Sequence, residues 1–232
     1  MCIIRILVFV CVIALSPVYA RADVPFVEFE NRYSNTAPFT KWWTMIGRMD
    51  AGTVIPALWR AHDKELRHLP LRGKAEQVNR LINQFPYISD NRNYGLSDYW
   101  AAPHEFLKNG GDCEDFAIAK YGWLRHLDVA ENHLRLAIVD DLQRDRKHAV
   151  LLLQDSGIWV VLDNNTAQIH RSDKITRYRL IYSINREAWW LPVPAQHKLF
   201  VNLLLRRGGD EFSIALGHYL NALLPENGEK PE

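Results

Sequence analysis

The hydrophobic pattern of this chain changes period near residue 130, and that change limits the folds open to it. Before it, apolar residues recur at helical spacing over 40–49, 56–69, 74–84 and 113–127, with Pro70 and Pro86 ending the second and third runs. After it come "LRLAIVDD", "RKHAVLLLQ" and "GIWVVLDN", short runs rich in Val, Ile and Leu and separated by polar turns. They predict antiparallel strands over 134–140, 146–153 and 158–163, with a fourth near 178–185. Helical spacing returns over 199–205 and 212–223, on either side of Gly208-Gly209. Helices, then a strand meander, then helices predict an α+β fold. The segment 87–97, rich in Asn, Ser and Asp, reads as a loop.

At 232 residues the chain suits one domain with small appendages. Lys and Arg number 28 against 27 Asp and Glu, so the basic footprint of a nucleic-acid binder is missing. The N-terminal "MCIIRILVFVCVIALSPVYA" has one cation, a short apolar run and then small residues spaced two apart. This predicts a cleaved secretory signal over 1–20, cut after Ala20 or Ala22; the apolar run falls short of the roughly 20 residues needed to span a bilayer. The mature protein is then expected to be exported, with a main domain over 23–195 and a helical extension over 196–232. Cys2 and Cys11 leave with the leader, so Cys113 remains alone in a compartment that usually pairs its cysteines.

Cys113 opens the strongest predicted helix, after Gly110-Gly111 and Asp112. A helix N-terminus favours the thiolate, and a neighbouring imidazole held by a carboxylate completes the activation of a nucleophile. Among nine histidines, His148 is the one the pattern can place, since it shares a strand face with Val150 and Leu152. With a hairpin turn centred on Asp155-Ser156, Leu152 faces Trp159, Val150 faces Val161, and His148 faces Asp163 at about 5.5 Å between Cβ atoms. A turn centred on Ser156-Gly157 instead sets His148 opposite Asn165. Taken singly, His148 is an ordinary strand histidine and Asp163 a turn former. Joined to a lone cysteine at a helix start, they make a candidate Cys113–His148–Asp163 triad.

The stretches "DYWAAPHEFLKNGGDCEDFAIAKYGWLRHL", "RKHAVLLL" and "WVVLDNN" resemble the bacterial transglutaminase-like cysteine proteinases of the LapG type, over roughly residues 39–194. The resemblance implies a papain/transglutaminase-like α+β core, with Cys113 as nucleophile, His148 as general base and acid, and Asp163 orienting the imidazole. It implies a periplasmic endopeptidase that releases a large surface adhesin by cutting near its N-terminus at a di-alanine site. It also implies an inner-membrane receptor that senses cyclic di-GMP and sequesters the enzyme. Finally it implies calcium dependence, with Asp112 and Glu114 as ligands.

Hard oxygen ligands suit Ca²⁺, and a dication would offset the repulsion these carboxylates impose on a thiolate. Asp115 and the carbonyls of the Glu131-Asn132 turn are further candidates. Asp112 has equally the chemistry of a helix cap, and Glu114 and Asp115 complement the helix dipole. No His/Cys cluster has zinc-ligand spacing. The tryptophan pairs in "KWWTMIG" and "AWWLPVP" read as core, and Trp100 as a candidate wall of the cleft. Two other functions use the same residues: acyl transfer from a glutamine side chain to an amine, and a non-enzymatic exported calcium-binding module with a vestigial triad.

Overall fold

Helix α6 (Cys113–His126) organises the molecule because it is buried on every side. All ten residues from Asp115 to Leu124 are buried. A helix of that kind must be enclosed rather than laid on a surface. On one side lie α1 (Thr40–Ala51), α2 (Ala57–Arg67), α3 (Leu71–Ile82), α4 (Asp90–Tyr94) and α5 (Pro103–Asn109). On the other lies a seven-stranded sheet. The computed structural model describes residues 30–52 and 54–192. The leader expected over 1–20 and the helical extension expected over 196–232 lie outside them.

The strands are β1 (Asn31–Tyr33), β2 (Leu134–Asp141), β3 (Arg146–Asp155), β4 (Ile158–Leu162), β5 (His170–Arg171), β6 (Tyr178–Ile184) and β7 (Trp189–Leu191). They pair antiparallel in the order β1-β7-β6-β2-β3-β4-β5. The main core joins Phe116, Ile118 and Trp123 of α6 to Leu151, Leu153 and Leu162 of the sheet and to Val78 and Ile82 of α3. Alternation along β2, β3 and β4 gives the opposite face a smaller cluster, Ala137, Val139, Val150, Leu152 and Val161. The α+β reading holds. All four predicted helices and all four predicted strands within the described residues are present, with ends displaced by a few residues at most.

The β3–β4 register differs from the favoured expectation. Leu152 faces Val161, and Gln154 faces Trp159. The turn is Ser156-Gly157, with φ of 51° and 79°. Tight two-residue hairpins favour positive φ at both central residues because that backbone matches the twist of the strands, and glycine adopts it without strain. The shift of two residues keeps every side chain on its expected face. Its extrapolation sets His148 opposite Asn165, but pairing stops at Leu162 and Asp163 begins the departing loop.

Several small elements were unexpected. Helix α4 lies inside the expected loop; α5 starts on Pro103, a residue whose missing N–H costs nothing at a first helical position. Strand β7 contains the second tryptophan pair. Trp42 and Trp189 are core residues, whereas Trp190 stacks on the Arg135 guanidinium at 3.6 Å from the ring centroid. Trp100 packs against the main core.

Candidate active site

Gly110 and Gly111 deliver the chain to the start of α6. Gly110 has φ +77°, and a Cβ on Gly111 would lie 2.2 Å from Asp115 Oδ2. With no side chains in the way, Gly111 N–H donates to the Pro86 carbonyl at 3.3 Å, and Ile88 N–H donates to the Gly111 carbonyl at 2.9 Å. Asp115, buried in the first turn, accepts from Ala101 N–H at 2.7 Å and from Asp112 N–H at 3.3 Å. These bonds anchor the helix start and its first residue, Cys113.

The Cys113 thiol is partly exposed and donates to Glu114 Oε2 at 3.2 Å. Burial, then the Glu114 carboxylate, pushes the thiol above its ordinary range, opposed by a hydrogen bond from the Ala149 backbone. Among the described residues no hydrogen bond joins Cys113 to His148. The link between them is Ala149, the next residue along β3. Tyr87 stands at this end of α6, 56% exposed and stacked on Phe116. Burial and the nearby Cys113 and Asp112 push its hydroxyl up to about 12.

His148 and Asp163 are brought together. His148 Nε2 lies 2.9 Å from Asp163 Oδ1, and the two residues are 4% and 2% exposed. The pairing arises beyond the end of the ladder. Asp163 turns back toward His148, its Oδ1 also accepts Asn165 N–H at 2.9 Å, and Asn83 Nδ2 donates to its carbonyl at 2.8 Å. The Asn165 amide lies 3.0 Å from His148 Nε2, so both residues named by the two candidate registers reach the imidazole. Burial opposes ionisation of Asp163, but His148, Tyr178 and Asn165 outweigh it and hold the carboxyl well below its usual range. With Nε2–H directed to Asp163, Nδ1 is the nitrogen left for proton exchange.

A group of carboxylates surrounds the sulfur. Ligand atoms of Asp112, Cys113 and Glu114 lie within 4.8 Å of one another, as do those of Asp90, Asp98 and Glu114, and those of Asp90, Asp112 and Asp115. Burial, then Glu114, raises Asp112 to about 9; burial raises Asp115 to about 8, and Asp90 and Glu114 move up for the same first reason. Such shifts mark crowded anions short of positive charge. Asp90 Oδ1 and Asp112 Oδ1 are buried without a hydrogen-bond partner. An all-oxygen set with buried orphan acceptors fits a hard dication such as Ca²⁺. Asp90 and Asp98, from the acidic loop around α4, were not anticipated.

The turn carbonyls suggested as ligands are elsewhere. The 14 residues of α6 span about 21 Å, and the Glu131 carbonyl at the far end accepts Asn185 Nδ2 at 3.1 Å. Its carboxylate takes the Tyr121 hydroxyl and the Arg186 N–H.

An α+β core with a cysteine at the start of its central helix and a buried histidine–aspartate pair on the adjoining sheet is the frame of a transglutaminase-like thiol enzyme. Residues 61–197 match the model of the bacterial transglutaminase-like cysteine proteinases (BTLCP), and the chain belongs to that family. It is a transglutaminase-like cysteine protease. Three structures of LapG from Legionella pneumophila are similar. The calcium-bound one is 29% identical with a TM-score of 0.53, covering 64% of this chain and 86% of that one. The EGTA-treated one is 28% identical with a TM-score of 0.54, covering 66% and 86%. A third is 25% identical with a TM-score of 0.54, covering 76% and 96%. A search of curated proteins gives no match.

Proposed function

We propose that the chain is a calcium-dependent periplasmic endopeptidase that cuts a large surface adhesin near its N-terminus. In this reading Cys113 is the nucleophile, His148 the proton carrier and Asp163 the residue that orients it. The buried His148–Asp163 contact at 2.9 Å, one residue from the amide that faces the Cys113 sulfur, carries the assignment. Asp112, Glu114 and the orphan oxygen of Asp90 would hold the ion. When bound, it supplies the positive charge that favours a thiolate beside carboxylates.

The Cys113 proton passes to His148, and Sγ bonds to the substrate carbonyl carbon. The scissile C–N bond breaks as His148 returns that proton to the leaving amine. A water gives its proton to His148 and its oxygen to the thioester, and Cys113 regains the proton on release. Asp163 stays ionised throughout and stabilises the imidazolium. The Cys113 N–H, at the helix N-terminus, is a donor suited to the oxyanion.

The LapG structures in calcium-bound and EGTA-treated forms support the calcium element. Export rests on the leader sequence. No helix among the described residues is long and apolar enough to cross a membrane. The cyclic di-GMP receptor that would sequester the enzyme follows from the same LapG-type reading.

The test is cleavage of a purified adhesin N-terminal fragment containing an Ala-Ala pair. Cys113→Ala should abolish cutting while leaving the fold intact, and chelation should stop it until calcium is returned. Undiminished cutting by Cys113→Ala would end the assignment. Indifference to chelation would remove the calcium element alone.

A further inference from the structure

We propose that Tyr178, the first residue of β6, and Arg177, just before it, are positioning residues that grip the Asp163 oxygen His148 does not use and so fix how the carboxylate addresses the imidazole. The inference rests on the reading of Cys113, His148 and Asp163 given above. Asp163 Oδ1 serves His148 Nε2 and Asn165 N–H, both at 2.9 Å. Oδ2 accepts the Tyr178 hydroxyl at 2.5 Å and Arg177 Nη2 at 2.8 Å. The same Nη2 also donates to the Tyr178 oxygen at 2.8 Å, closing a triangle, and the guanidinium lies 4.6 Å from the centroid of the Tyr178 ring. That ring in turn lies 5.6 Å from the His148 ring. Each carboxylate oxygen therefore has two donors, and rotation about the Cβ–Cγ bond would break all four bonds.

Holding the orientation of Asp163 is the first consequence. The second is electrostatic: donors on Oδ2 draw charge from the carboxylate, and a nearby guanidinium disfavours an imidazolium. Removing either group should therefore make His148 more basic. Other charges facing the pair come from separate elements. Lys120 of α6 acts on Asp163, its Nζ buried without a hydrogen-bond partner, and Asp141 at the end of β2 acts on Arg177. Neither of these is exchanged in the variants below.

Cleavage of the same adhesin fragment and an NMR titration of the His148 ring nitrogens test the proposal in the full mature chain. The titration is done in a Cys113→Ala background, with the signal assigned by its loss in His148→Gln. Tyr178→Phe, which keeps the ring, should lower kcat about tenfold with KM nearly unchanged. Tyr178→Phe and Arg177→Met should each move the titration of the ring nitrogens to higher pH. Arg177→Lys, retaining the charge, should lie closer to the parent than Arg177→Met.

An unmoved titration overturns the proposal, including where kcat falls together with thermal stability, because that pattern is one of packing alone. If the Tyr178 and Arg177 variants behave like the parent while Cys113→Ala and His148→Gln are inactive, this inference fails and the catalytic reading stands. If Cys113→Ala still cuts, the catalytic reading itself fails.

Discussion

Lys120 is placed against its chemistry. It lies in the middle of α6, wholly buried, with its Nζ 5.9 Å from the Phe116 ring centroid and no hydrogen-bond partner. Burial lowers its pKa from 10.5 to about 7, with Asp163 pulling the other way. Between those two values the unfolded chain keeps a proton that the folded chain has lost, so stability rises with pH. The cost is fully present below about pH 7 and fades as pH climbs toward 10.5. Urea unfolding between pH 7 and 9 should therefore show the parent gaining on Lys120→Met by roughly 1.4 kcal/mol per pH unit. Lys120→Met, of similar length and without the charge, should be the more stable of the two at pH 7. Parallel stability curves would contradict the burial argument.

At the scale of elements, the β3–β4 hairpin separates what pattern alone can read from what backbone geometry decides. Alternation in "HAVLLL" and "WVVL" places the correct faces and brings His148 to the sheet, because those properties depend only on a period of two. Register depends on which two residues turn, and "QDSG" permits either choice. The turn takes Ser156-Gly157, with Gly157 at φ +79° and open space where a Cβ would be. Gly157→Ala should thus destabilise through backbone strain alone, by about 1–2 kcal/mol in chemical denaturation. A gain in stability would instead support the turn at Asp155-Ser156, which makes Gly157 a strand residue. The His148–Asp163 contact was legible although its favoured register was not, because a side chain just past the ladder can turn back. Asp90, Asp98, Arg177 and Tyr178 were not legible: they reach the site through tertiary packing of a loop and a strand with no motif at Cys113. Helices α4 and α5 and the short strands are too brief to show a period.

Across the whole molecule, two layers meet at one end of α6, and the candidate chemistry sits on their seam. The helical layer contributes Cys113 and the acidic group; the sheet contributes His148, with Ala149 next to it facing the sulfur, and the loop leaving β4 contributes Asp163. The seam concentrates negative charge, so the isolated thiol is held protonated by burial and Glu114. Drawing Glu114 to a cation would release that restraint and leave the sulfur to the imidazole. In the proposed mechanism Cys113 and His148 exchange a proton. The rate at which iodoacetamide alkylates Cys113, followed across pH in the calcium-loaded protein and in His148→Gln, tests it most directly. The parent should react well below the ordinary thiol range near pH 8.5, and His148→Gln should lose that reactivity. Identical profiles, with Cys113 reacting only as an unassisted thiol in both, would contradict it.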